Sequence, residues 1–344
     1  MQLVIVPDIA QNYSLLEITP LYFGTMRDLA VDYTYDVSGP VHTLQTGGML
    51  EPFAAAWKGG AAPLQGLPEG TTTGVLDVPA PAEFLDLRYA LGATSYATGT
   101  FFESIIVPDI AQELSLQCDY WPPTAPSPQL TTMMLGDGGS YENIPLISFL
   151  QRRVPKIVLF FLSSIPLQPF EDWDVLQDPQ AYEHITDDLA AFFGAINYSL
   201  PRYADRTYEY ERNTVFSLAD FDRVALGLQT AQQQGSGIIY TANLTTVENA
   251  WWGIPAGLVF EVTFSYLGRL PQWEAQLSPE MRKLVVPAEN ASDLSVDVQG
   301  GPFAGFPHYA TEAGDMSAER ANLLADLAGW SVLQHEELFR HMLS

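Results

Sequence analysis

Residues 133–164 read MMLGDGGSYENIPLISFLQRRVPKIVLFFLSS, and their reading decides how the chain is organised. An acid, Asp137, stands between glycines. Asn143 and Pro145 follow, then a helix-like piece and an apolar run. Glycine on both sides lets a backbone turn sharply and lets another segment or a ligand come close. Asn143 suits the satisfaction of loop amides, and Pro145 fixes the exit toward the next element. The run 156–164, KIVLFFLSS, is short and apolar enough for a buried strand. Asp137 is therefore expected near a strand end, where a rigid sheet can hold a functional carboxylate. On spacing alone, an Asp-Gly-Gly loop reads first as a plain turn.

Outward from this stretch, helices and strands alternate. Residues 178–196 predict a helix, with Asp178 as cap, Pro179 at the first helical position, and Tyr182, Ile185, Leu189, Phe192 and Ile196 on one stripe. Residues 258–267 alternate Phe260, Val262, Phe264 and Tyr266 with Glu261, Thr263 and Ser265, the pattern of a half-buried strand. Residues 316–343 predict one helix with Leu323, Leu327 and Trp330 on a face. Two Pro/Gly-rich stretches, 59–81 and 120–129, read as loops within a domain. Mixed elements of this kind predict an α/β layered fold, taken as a single domain over 1–344. One internal repeat stands out: IVPDIAQNYSL (5–15) and IVPDIAQELSL (106–116) agree at nine of eleven positions. Their surroundings differ, so no solenoid is implied.

The chain has 344 residues, enough for a buried core. Apolar residues are 47% and aromatics 12%, which argues against disorder. With 41 acids against 15 bases the formal net charge is −26. Such a chain is not drawn to nucleic acid or to strongly anionic membranes. The lone cysteine, Cys118, excludes an internal disulfide and a cysteine-based metal site. Asn12, Asn197, Asn243 and Asn290 head glycosylation triplets, relevant on a secretory route. The start, MQLVIVPDIAQ, lacks the basic residues of a signal peptide, and no run reaches a membrane-spanning length. The expected compartment is cytoplasmic or, if a further N-terminal part exists, secreted.

Residues 136–164 resemble the C-terminal catalytic motif of the cytosolic phospholipase A2 and fungal lysophospholipase (phospholipase B) family. The family pattern runs Asp-Gly-Gly, then Asn-x-Pro, then an apolar stretch with Arg and a hydrophobic strand. LLEITPLYFGT (15–25), LGATSYATGTFFES (91–104), NAWWGIPAG (249–257) and residues 305–330 are similar to other family segments, in order. The resemblance implies a three-layer α/β/α fold around a central mixed sheet, patatin- or phospholipase-like, with its N-terminal part absent from this chain. It implies a Ser–Asp pair acting on a phospholipid or lysophospholipid acyl ester, with no metal or other cofactor and with peripheral membrane contact. In that pair a serine attacks the carbonyl and the carboxylate takes its proton, with no histidine between them. Carried over, Asp137 is the base, and Gly138, Gly139 and Asn143 frame it. Arg152 and Arg153 suit a phosphate headgroup, since guanidinium binds phosphate in a bidentate way, or else form a surface pair.

The family's Gly-x-Ser-Gly nucleophile turn lies upstream of everything matched here. Ser236, Ser95 and Ser38 stand in the wrong contexts, and the serine is expected from a missing N-terminal half. Where the family commonly has an acid in the strand after the motif, this chain has Leu162. The isolated chain is thus expected to be inactive. The alternative is a non-catalytic lipid- or protein-binding remnant of the fold. Other motifs carry less. His335 and His341 are six apart, the wrong spacing for a zinc helix. His308 reads as structural. Trp251 and Trp252 with Phe260 and Phe264 read as core aromatics, with an acyl pocket as the rival.

Overall fold

A computed structural model describes residues 2–5, 13–33, 42–51, 56–57, 80–81, 86–94, 116–124, 130–178, 184–199, 212–285, 301–309 and 316–344. Helices and small sheets mix, as the alternation of sequence patterns predicts. The chain separates into two compact units, 1–145 with 207–209, and 146–206 with 210–344.

The first unit is built on one sheet. Its strands are β1 (Gln2–Ile5), β2 (Tyr13–Ile18), β3 (Phe23–Tyr33), β4 (His42–Leu50), β5 (Ala56–Trp57), β6 (Leu116–Tyr120) and β7 (Thr131–Asp137). Their order is β4-β3-β2-β1-β7-β6-β5, and every neighbouring pair is antiparallel. Short connections such as the one between β2 and β3 allow only that pairing. Thr19 closes that turn: its Oγ1 accepts from the Tyr22 N–H at 3.0 Å. Gly24, at φ 153°, admits β4, since a Cβ there would meet the Gly48 carbonyl oxygen at 2.2 Å. The buried side chains of β2 and β6 include Leu15, Leu16, Cys118 and Tyr120. Tyr120 stacks at a tilt on Phe23, 5.9 Å between ring centres. Helix α1 (Leu87–Thr94) packs on β7 and β1. The two copies of the repeat run into β2 and β6.

The second unit has a three-stranded mixed sheet. Its strands are β8 (Lys156–Phe161), β9 (Ile238–Thr245) and β10 (Val259–Tyr266), in the order β8-β10-β9. β10 is parallel to β8 and antiparallel to β9. Phe260, Val262, Phe264 and Tyr266 of β10 are all buried as expected, but Thr263 and Ser265 on the opposite face are buried as well, so this central strand is covered on both faces rather than half-buried. The run 156–161 differs from the expectation of a fully buried strand. β8 is an edge strand with Ile157, Leu159 and Phe161 inward, while Phe160 is 55% exposed. Its outward face is only partly covered, with Phe160 stacked on Phe339.

Successive strand residues face opposite ways, which sorts the helices around this sheet. On the Phe264 side, Phe193 lies against Phe264 and against Phe221 of α4 (Leu218–Gln234). On the other side, His341 meets Glu261, and Phe339 stacks on Phe160 at 6.0 Å. Both belong to α8 (Glu336–Met342), which follows α7 (Ala318–Gln334). Helix α4 is well delimited. Ser217 Oγ accepts from the Asp220 N–H, and Gly235 ends the helix in the left-handed conformation at φ 73°.

Two helix expectations need correction. In 178–196, described residues are helical only in α3 (Asp187–Ala191), capped at Thr186, and Asp178 lies in a turn bonded to Asp174. Pro179 and Tyr182 fall outside the described residues. Ile185, Leu189 and Phe192 are nonetheless buried. The helix expected over 316–343 breaks at His335 (φ −121°, ψ 30°), and its buried face is Leu324, Leu327 and Ser331, not Leu323 and Trp330. The shorter helices are α2 (Leu146–Gln151), α5 (Pro271–Glu274) and α6 (Pro279–Val285). Among the described residues, no helix is long and apolar enough to cross a membrane, and no cluster of three or more His, Cys, Asp and Glu is placed to hold a metal.

Candidate functional site

Asp137 is the last residue of β7, a strand with neighbours on both sides. Its partner across the ladder is Gln2. The chain then turns at once into a single 3-10 turn, Gly138–Ser140, for which Asp137 is the cap. Asp137 Oδ1 accepts the Gly139 N–H at 2.8 Å. The backbone N–H groups of Tyr141 and Glu142 both donate to the Gly138 carbonyl. A carboxylate at the head of such a turn satisfies an otherwise orphaned donor. Asp137 is half-buried, and its Oδ2 accepts no hydrogen bond among the described residues.

Of the uses expected of these glycines, close approach is the one the geometry carries. None of Gly136, Gly138 and Gly139 takes a positive φ, so left-handed backbone is not what they supply. Gly139 is required by close approach. A Cβ there would lie 2.6 Å from Asn143 Oδ1 and 3.1 Å from Asp137 Oδ1. The turn thus brings Asp137, Gly138, Gly139 and Asn143 together. Asn143 is exposed, and its side-chain oxygen is laid over Gly139.

Arg152 and Arg153 belong to the second unit, just past α2. Arg153 adopts φ 55°, rare for a residue other than glycine. Its N–H donates to Leu150 O at 3.0 Å, and the Val154 N–H donates to Phe149 O at 3.1 Å. This pair of bonds is the Schellman ending of a helix, with Arg153 where glycine is usual. Arg153 is exposed and Arg152 half-buried.

Trp252 and Phe260 are each 2% exposed and Phe264 0%, so these aromatics are core. Their loop is locked by Asn249, whose side-chain N–H groups donate to the Arg212 and Thr214 carbonyls, while Trp252 Nε1 donates to Asn213 Oδ1. The Arg212 guanidinium lies 3.7 Å over the Trp251 ring. Ser95 falls outside the described residues, as does Ser38; Ser236 sits between α4 and β9.

Sequence reasoning missed a polar group at the carboxyl ends of β8 and β10. Tyr266 Oη donates to Ile165 O at 2.6 Å and accepts from the Thr186 N–H. Burial holds this phenol above the usual tyrosine range. His308 is 8% exposed, and its Nδ1 lies 2.9 Å from the Ser163 carbonyl. A carbonyl can only accept, so Nδ1 carries the proton and Nε2 is the acceptor. Burial lowers the His308 pKa, and Arg269 adds to that. The only sequence signal was Ser163 at the end of an apolar run; nothing local links it to His308, 145 residues away. No family model, no characterised protein and no solved structure matches this chain.

Proposed function

We propose that Asp137 is the proton acceptor of a serine-type acyl-ester hydrolase for phospholipids or lysophospholipids, in an α/β/α layered, phospholipase-like fold. One observation carries this reading. A carboxylate at the end of an internal strand is anchored through one oxygen by a backbone N–H and leaves its other oxygen open. A carboxylate so held keeps its direction yet can accept a proton. Helices touching both sides of the second unit's mixed sheet support the layered arrangement.

In this mechanism the serine Oγ attacks the ester carbonyl and its proton passes to Asp137 Oδ2. Collapse of the tetrahedral intermediate breaks the bond to the glycerol oxygen, which takes that proton. Water, deprotonated by the same carboxylate, then releases the fatty acid from the serine. The pair needs no metal. Ser38, Ser95 and Ser236 stand in the wrong contexts for the attack, so the serine is proposed to be supplied from elsewhere, as the family resemblance implies.

The test is turnover of lysophosphatidylcholine by the 344-residue chain, and by the chain extended with any sequence its gene encodes upstream. We expect hydrolysis and fluorophosphonate labelling in the extended protein only. Asp137→Asn should slow it by about 10²–10⁴-fold, the usual weight of a general base. Turnover by the shorter chain that vanishes in Asp137→Ala would overturn the external serine. Full turnover in extended Asp137→Asn would overturn the role of Asp137. An extended protein with neither turnover nor labelling would leave the binding scaffold as the surviving reading.

A further inference from the structure

The second unit contains a cavity of about 290 Å³ at the carboxyl ends of β8 and β10. Phe160, Phe161 and Leu162 close one side, residues 265–268 and Leu270 another, and α7 covers it with Leu324, Ala325, Ala328 and Ser331. The room exists because the helix presents two alanines and a serine. The space just outside the carboxyl ends of parallel strands is where α/β sheets bind ligands.

Two features say what the cavity would hold. The first is charge: among the described residues, no Asp, Glu, Lys, Arg or His lines it. An ionised ligand there would lose its hydration without a partner, and a chain of net charge −26 repels anions in particular. The second is a pair of hydroxyls. Ser265 and Ser331 are only 9% and 6% exposed, both line the cavity, and neither side chain has a hydrogen-bond partner among the described residues. Neither hydroxyl is sealed from open space, so each is free to pair with a ligand's own polar atom.

We infer that this cavity binds a neutral, single-tailed apolar molecule with one hydroxyl or carbonyl, such as a medium-chain alcohol. At about 30 Å³ for each water-sized group, the volume suits about nine heavy atoms. It is about twice the ~150 Å³ cavity that accepts benzene. The exposed side chains of Phe160 and Leu162, 55% and 53%, form an apolar mouth for the tail's entry. This site stands independently of the hydrolase reading, because the titration below reads binding, not turnover.

The experiment is calorimetric titration of the full chain with 1-octanol, octanoate and ethylbenzene. 1-Octanol should bind once per chain, at least tenfold tighter than octanoate. Ser331→Ala should weaken 1-octanol severalfold and leave ethylbenzene within twofold. Ala328→Phe, which fills the cavity, should abolish both. Ser331→Ala removes only a hydroxyl, so it remains informative if Ala328→Phe does not fold. Octanoate binding as tightly as 1-octanol, 1-octanol affinity unmoved by either variant, or no saturable binding at all would overturn the inference.

Discussion

Gly227→Ala sets two well-known effects against each other. Gly227 lies inside the 17-residue helix α4, where glycine costs about 1 kcal/mol relative to alanine. Propensity alone therefore predicts stabilisation. A Cβ at 227, however, would sit 2.4, 2.5 and 2.6 Å from Cδ2, Cγ and Cε2 of Tyr240. These atoms are the body of the ring, not a flexible tip. Tyr240 is on β9, in register with Phe264 of the central strand, so its backbone cannot retreat alone. To reach ordinary contact the ring must move about 1 Å, and overpacking of this kind costs about 1–3 kcal/mol. Taking about 2 for the clash and about 1 for propensity, the variant should lose about 1 kcal/mol. With Tyr240→Ala beneath it, the same change should gain about 1 kcal/mol, a coupling of about 2 kcal/mol. Urea unfolding followed by the fluorescence of Trp252 and Trp273, both in this unit, reads the midpoints. A higher midpoint for Gly227→Ala alone, or the same sign in both backgrounds, would refute the packing of Tyr240 on bare helix backbone.

Three further outcomes follow from the turns and the buried histidine. Gly139→Ala should cost about 1 kcal/mol, and adding Asn143→Ala should recover most of it in thermal unfolding, because Asn143 Oδ1 occupies the space that the new methyl needs. Arg153→Gly should raise stability by about 0.5–1 kcal/mol by relieving a left-handed residue, read from the denaturation midpoint. His308 has a lowered folded-state pKa, so above about pH 6.5 both states are neutral and it contributes no slope. As pH falls below that value the unfolded chain takes a proton that the folded chain resists, and stability drops. His308→Asn keeps a donor for the Ser163 carbonyl, so its stability should fall less between pH 6.5 and 5 in parallel denaturations.

The legible parts of this chain were those whose apolar residues follow a local period. β10 declared itself through alternating Phe260, Val262, Phe264 and Tyr266, because one face meets a core and the other meets helices. The Asp137 turn was legible as a place, yet its glycines serve a close approach, which sequence does not encode as distinct from a sharp bend. Helix α4 went unread although Ser217 and Asp220 at its start and Gly235 at its end are standard boundary signals. The edge position of β8 was hidden, because an apolar run looks alike whether one or two strands flank it. The break at His335 was hidden too, since both halves keep a helical pattern. Ser265, Ser331 and His308 gained meaning only from partners, or the lack of them, far along the chain.

The shared heptapeptide IVPDIAQ ends two residues before β2 and four before β6. The sheet places these strands symmetrically, outside the central pair β1 and β7. During refolding each copy therefore offers nearly the same lead-in, and the chain must tell them apart by what comes next, LEIT in one case and QCDY in the other. A swapped assignment would thread the molecule wrongly while keeping its early local contacts. Fidelity of assembly in this unit rests on the later residues, and changes confined to Leu16, Cys118 or Tyr120 would be felt first as lost yield of correctly threaded molecules.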